Sequence, residues 1–230
     1  PYSHNGSYWP SAYSRDVWEF NVKLAIEAVK EMGFNEIQFD YTRFPDKTKT
    51  IEEQGLVDMK NTYNETKAQA IQAFLMYATD EIHKYNAYVS VDVFGESANS
   101  YVTAYGQYWP AISNIVDVIS AMPYPDHFDT YAYGSKVPVW TKPYNLLKAW
   151  GKTVVTRQNE IPTPAVVRTW IQAYNAIKSP YIVYDANKIS EQMQGLYENG
   201  LTGGYITWNA KSSIEKYQEI SSAFKKEYKQ

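Results

Sequence analysis

EIQFDYTRFP, residues 36–45, alternates apolar and polar side chains and then breaks the alternation at an acid and a base, Asp40 and Arg43, before Pro45. Alternation of this kind marks a strand, and proline ends one. Upstream, residues 14–32 carry Val17, Phe20, Leu24, Ala28 and Val29 at helical spacing and stop at Gly33. The order is helix, glycine, strand, acidic tip. In parallel α/β proteins the loops beyond the carboxyl ends of the strands converge on one face, which is where active sites lie.

Four more stretches carry a strand pattern: AYVSVDVFG (87–95), VDVISAMPY (116–124), VVRTWIQAY (166–174) and GGYITWNA (203–210). Helical patterns alternate with them. One covers residues 65–85, with Ala68, Ile71, Leu75, Ala78 and Ile82 on a single face. A short one covers 109–115, one begins near Pro143 and is closed off by Pro162 and Pro164, one runs over 187–199 to Gly200, and an amphipathic segment fills 213–229. Residues 45–61 read as a polar loop, and 125–139 as a long aromatic loop whose length points to function. The chain opens on a loop and a helix rather than a strand.

Strands alternating with helices indicate βαβ units and a parallel sheet. Five strands fall short of the eight-stranded barrel, which takes about 250 residues. The predicted fold is therefore α/β, TIM (β/α)8 barrel-like. Residues 1–230 would form one domain supplying about the last five βα units, strands 4 to 8, with an upstream segment of the same protein completing the barrel. An open five-stranded sheet is the alternative.

Composition narrows the function classes. A net charge of −3 and a pI near 5.7, without clusters of lysine or arginine, argue against a nucleic-acid partner. With no cysteine there is no thiol nucleophile or thiolate metal site. No run approaches the ~20 apolar residues of a membrane helix. The 22 tyrosines and seven tryptophans stand out, because sugars lay their C–H faces on aromatic rings. No glycine-rich phosphate loop, GxSxG elbow or HExxH motif is present, and His4, His83 and His127 have no metal-ligand spacing, so no cofactor and no metal is expected. Paired carboxylates are the acid–base machinery that remains.

Period-two alternation puts Gln38, Asp40 and Thr42 on one face of the first strand, and Ser90, Asp92 and Phe94 on the matching face of the second. Asp40 and Asp92 then stand at equal heights on strands ~4.8 Å apart, compatible with the ~5 to 5.5 Å between the carboxyls of retaining glycosidases. Arg43 would keep a neighbouring carboxylate ionised, which suits a nucleophile, so Asp40 is the predicted nucleophile and Asp92 the acid/base. Glu96 and Asp126, just past strand ends, are rival acids, each more commonly an exposed loop carboxylate or a helix cap. Tyr124 and His127 can hydrogen-bond a substrate at the mouth. Arg168, Trp170 and Gln172 share a strand face, and on the last strand either Trp208 or Asn209 reaches the mouth. Trp170 and Trp208 are candidate sugar platforms.

With GFNEIQFDYTRFP, VSVDVFG, VDVISAMPYPDHF, VRTWIQAY and GGYITWNA in order, the chain resembles the putative glycosyl hydrolase domain family, a TIM-barrel group. The FDY-x-RFP signature after GF-x-EI is the specific part, and the match covers nearly the whole chain. The resemblance implies barrel strands four to eight, a secreted or cell-envelope bacterial setting, and action on a polysaccharide or glycoconjugate. Asp40, Tyr41, Arg43, Asp92, Tyr124, His127, Gln172 and Trp208 match the family's motifs. Thr169 after Arg168 and Ile171 before Gln172 depart from the pattern, where the family has proline and leucine. The leading expectation is a glycoside hydrolase. The alternative is a noncatalytic carbohydrate-binding protein that uses the same acids only as hydrogen-bond acceptors.

Overall fold

A computed structural model describes residues 2–4, 6–45, 47–55 and 57–228. The chain divides into two compact units, one made of Pro1–Val93, Asn99–Ile119 and Ile161–Ala165, the other of Phe94–Ala98, Ser120–Glu160 and Val166–Gln230.

The first unit opens with an antiparallel hairpin, β1 (Tyr2–His4) and β2 (Ser7–Trp9), where the sequence pattern predicted only loop. Three-residue strands are too short to show periodicity, which is why the pattern missed them. Helix α1 (Arg15–Met32) follows and ends at Gly33, whose left-handed φ of 74° lets its N–H reach the carbonyls of Ala28 and Val29. Its buried stripe is Trp18, Val22 and Ala25, and Phe20 and Leu24, expected inside, are exposed. Apolar residues occupy more than one face of this helix, and Trp18 decides which turns inward by packing edge-on against Phe74 at 5.8 Å.

β3 (Glu36–Phe39) runs parallel to β4 (Tyr88–Phe94), with Ile37 opposite Val89 and Phe39 opposite Val91. The Asp117 N–H donates to the Val89 carbonyl at 3.0 Å, bringing the start of β5 (Val118–Met122) alongside β4. The expected polar loop contains a short helix, α2 (Thr48–Glu53), tied down by buried Ile51 and by the Thr48 hydroxyl on the Pro45 carbonyl. Helix α3 (Lys67–His83) starts at a capping box of Thr66 and Gln69 and buries Ile71, Leu75, Ala78 and Ile82, the face its periodicity specified. α4 (Trp109–Ser113) completes the unit.

The second unit holds α5 (Pro143–Gln158), β6 (Val166–Val167), β7 (Thr169–Gln172), α6 (Ala186–Tyr197), β8 (Tyr205–Trp208) and α7 (Ile214–Ile220). The continuous strand expected over 166–174 is interrupted at Arg168, because β6 and β7 belong to different sheets and the ladder changes partner there. β7 pairs in parallel with β8, Trp170 opposite Ile206 and Gln172 opposite Trp208. Helices α5 and α6 approach so closely at Gly195 that an added Cβ would stand 2.7 Å from the Tyr144 carbonyl oxygen. The closing amphipathic segment is helical only to Ile220 and continues as a 3-10 turn over Ser221–Lys225. Among the described residues no helix is long and apolar enough to cross a membrane.

Candidate active site

The alternation of β3 and β4 sorts their side chains onto two faces. Ile37, Phe39, Val89, Val91 and Val93 form the helix side, where Phe39 meets Phe74 at 5.2 Å. Gln38, Ser90 and Asp92 share the other. The Ser90 hydroxyl donates to Gln38 Oε1 at 3.3 Å, and Gln38 Nε2 donates to Asp92 Oδ2 at 3.2 Å. Asp92 is only 4% exposed, a burial that a carboxylate tolerates when donors face it.

One residue beyond β3 the backbone turns. Tyr41 takes a left-handed φ of 53°, uncommon for a residue with a side chain and frequent where function over-determines the backbone. In this conformation its N–H donates to Asp40 Oδ1 at 2.6 Å, and its carbonyl accepts from Arg43 N at 2.7 Å. The turn thus orients an exposed carboxylate and lifts the Tyr41 ring, 65% exposed, beside it. A hollow of about 690 Å³ opens here, walled by Trp9, Trp18, Asp40, Tyr41, Thr42 and Arg43 among others. That is within the ~300–1,000 Å³ of small-molecule sites, and the mixture of flat rings and polar groups suits a sugar. The Arg43 guanidinium lies 4.8 Å from the Trp9 ring centroid, 5.4 Å from Tyr41 and 5.6 Å from Tyr105, and donates to the Phe44 carbonyl. Asp40, Tyr41 and Arg43 therefore meet in one hollow, whereas Asp92 is not part of its wall.

Gln107 is a member that sequence reading missed. Buried in a loop with no periodic signal, its Nε2 donates to the carbonyls of Thr42 at 3.1 Å and Asp92 at 3.4 Å, tying the Asp40 turn to the tip of β4.

In the second unit the predicted residues gather around Asp126. The expectation of an exposed loop carboxylate is corrected: Asp126 is 0% exposed and accepts from the Tyr174 hydroxyl at 2.9 Å, Gln172 Nε2 at 3.2 Å and the Ile177 N–H at 3.2 Å. It lies on a 3-10 turn that folds back under Tyr124 rather than pointing outward. Burial, and then the neighbouring Asp126 charge, push the Tyr174 hydroxyl far above the usual tyrosine range. Buried Tyr124 packs edge-on against His127 at 5.3 Å, and exposed His127 stands with Nε2 3.3 Å from the Tyr174 hydroxyl. Tyr174 ends the strand motif on a face that alternation assigns to Trp170 and Gln172, the one signal that could have singled it out. Trp170 and Trp208 meet edge to face at 6.1 Å. Of the last-strand pair, Trp208 is 45% exposed, and Asn209 is buried with its amide on the Ala173 carbonyl and its Oδ1 on the Lys211 N–H. Glu96, half-buried, sits on the 3-10 turn Gly95–Ala98.

Among the described residues no group of three His, Asp or Glu side chains could hold a metal ion. The His4 side chain lies outside the described residues, and His83 pairs with Asp117 at 2.8 Å.

Solved structures similar to this chain include a glycoside hydrolase domain, a spore cortex-lytic enzyme and a chitinase by their descriptions. The PgaB (BpsB) glycoside hydrolase domain from Bordetella bronchiseptica is 14% identical, aligned over 95% of this chain and 67% of that one, with a TM-score of 0.60. The spore cortex-lytic enzyme SleL from Bacillus megaterium QM B1551 is 14% identical over 96% of this chain and 57% of that one, at 0.60. A class V chitinase from Pseudomonas fluorescens Pf-5 is 16% identical over 95% and 77%, at 0.62. The chain thus spans little more than half of SleL and about two thirds of the PgaB domain. No curated protein matches in sequence. A family model described as "Putative glycosyl hydrolase domain" matches residues 2–214, and the chain belongs to that family.

Proposed function

We propose that the chain is the catalytic portion of a glycoside hydrolase that cleaves a polymeric glycan outside the cytoplasm, with Asp40 as nucleophile and Asp92 as acid/base. The observation that carries this reading is Asp40 itself: an oriented carboxylate at a strand's carboxyl end, in a sugar-sized hollow with aromatic walls. Continuing the β3–β4 register by one residue sets Asp40 opposite Asp92, which supports the pairing. In the reaction Asp40 attacks the anomeric carbon, and Asp92 gives its proton to the departing glycosidic oxygen. Asp92 then takes a proton from the water that releases the sugar. Chitinases and a cortex-lytic enzyme among the structures of this fold favour a glycan polymer as substrate.

The same reading holds that further βα units complete a barrel. β3 ends its sheet, and Phe20 and Leu24 leave an apolar stripe on α1 open to water, a face suited to another helix.

A second reading, a carbohydrate-binding protein without turnover, is favoured by the burial of Asp92 away from the hollow's wall. Reducing-end release from soluble glycans by the full-length protein decides between them. Hydrolysis by the wild type with loss of ~10³-fold or more in Asp40→Asn, binding being kept, supports catalysis. Binding by both proteins with release by neither supports the second reading.

A further inference from the structure

We propose that Trp9 is the floor of a second sugar subsite, so that the site takes a polymer extending beyond the unit held at Asp40. This rests on the reading of the Asp40 hollow as a glycan site and adds a residue and a subsite to it. Trp9 belongs to the β1–β2 hairpin and forms wall in two hollows at once: the 690 Å³ hollow of Asp40, and a neighbour of about 300 Å³ lined by Phe44, Ile51, Val57 and Met59 among others. The two also share Pro10, Ala12 and Val17. The two hollows therefore adjoin at the indole.

The ring is held for such a role. Its edge contact with Tyr41, 6.0 Å between centroids, and the Arg43 guanidinium 4.8 Å away fix it from the side of the Asp40 turn. A flat, pre-positioned ring binds the C–H face of a pyranose without ordering cost at the moment of binding. The second hollow is predominantly apolar in its lining, which matches a ring face rather than a charged group. A glycan chain of at least two units fits this arrangement, one sugar beside Asp40 and the next against Trp9.

The test uses the full-length protein and panels of the mono- and oligosaccharides of the chito-, cello- and xylo-series, of one to six units. Binding is read by calorimetry on the Asp40→Asn protein, which separates it from turnover. Affinity should rise sharply between one and three sugar units. Adding Trp9→Ala should remove that rise and weaken the longer oligosaccharides roughly tenfold or more, equivalent to ~1.4 kcal/mol. Trp9→Phe should recover most of the affinity. Trp9→Leu fills space without a flat ring and should behave like Trp9→Ala, guarding against a trivial loss of folding, which circular dichroism checks. In the active protein the Trp9→Ala effect should fall on KM for long substrates with kcat little changed. Length-independent affinity, unchanged affinity in Trp9→Ala, or no binding to any panel overturns the subsite. Length-dependent binding that needs Trp9 in a protein that never releases sugar keeps the subsite and removes the hydrolase reading.

Discussion

The Gln38 amide joins two strands by its two ends, accepting from Ser90 at 3.3 Å and donating to the Asp92 carboxylate at 3.2 Å. Gln38→Leu removes a donor from a carboxylate that is 4% exposed, and should cost ~1–3 kcal/mol of stability. Gln38→Glu should be more informative, because two carboxyls ~3 Å apart cannot both ionise. The pair then holds a proton in the folded state that it would release when unfolded. Stability of this variant is greatest in acid and falls as pH rises from about 4 to 7, opposite in sign to a salt-bridged carboxylate. Urea unfolding across that range reads the sign directly.

Gln107 bridges the Thr42 and Asp92 carbonyls and so fixes the spacing between the Asp40 turn and β4. It is a positioning residue in the proposed mechanism. Gln107→Ala should lower kcat by roughly 10- to 100-fold with KM within a small factor, because misplacing a reacting group penalises the transition state more than binding. Gln107→Glu keeps the length but not the donor, and should not restore the rate. Equal loss in kcat and in thermal stability, with full rescue by lower temperature, would reduce the residue to a structural brace.

On the second unit's helix pair, Glu198 of the α6 end meets Lys148 Nζ at 2.6 Å and the Tyr144 hydroxyl at 2.7 Å. Lys148 first, and Tyr144 and Gln194 after it, lower the Glu198 carboxyl from 4.5 to about 2. The stabilisation is complete above pH 4.5 and lost as pH falls toward 2. Acid unfolding of Glu198→Gln should therefore lose part of the pH dependence between those limits, a difference weakened by salt because the pair is near the surface.

The strand and helix order was legible because the core enforces it. The alternation of EIQF and YVSVDVF, and the stripe of Ile71, Leu75, Ala78 and Ile82, are direct prints of burial. The position of Asp40 just past the end of β3 was legible for a related reason, since the alternation stops there. The hairpin carrying Trp9 was not, because two three-residue strands impose no period. Neither was the inward face of α1, where sequence offered two apolar stripes and a single aromatic contact, Trp18 on Phe74, chose between them. Gln107 and the burial of Asp126 were invisible because each depends on partners 15 to 65 residues away, joined by hydrogen bonds that leave no periodic trace.

Asp126 offers the sharpest stability test, because the three groups that hydrogen-bond its carboxylate are all donors: the Tyr174 hydroxyl on Oδ1, and Gln172 Nε2 and the Ile177 N–H on Oδ2. An asparagine keeps the shape but brings an NH₂ that needs an acceptor. Placed at the Oδ1 position it can donate to the Tyr174 oxygen if that hydroxyl turns its proton away, toward His127 Nε2 at 3.3 Å. Asp126→Asn alone should then cost ~1–2 kcal/mol. Tyr174→Phe alone removes one donor from a buried carboxylate and should cost a similar ~1–3 kcal/mol. Together they take away the hydroxyl oxygen and leave the new amide facing a ring, with His127 Nε2 beyond hydrogen-bond distance at 3.8 Å from the Oδ1 position. The double variant should lose more than the two single losses combined, by a coupling of ~0.5–3 kcal/mol in urea unfolding. Strict additivity would mean that the hydroxyl does not turn, and that water takes the place of Tyr174 at Asp126.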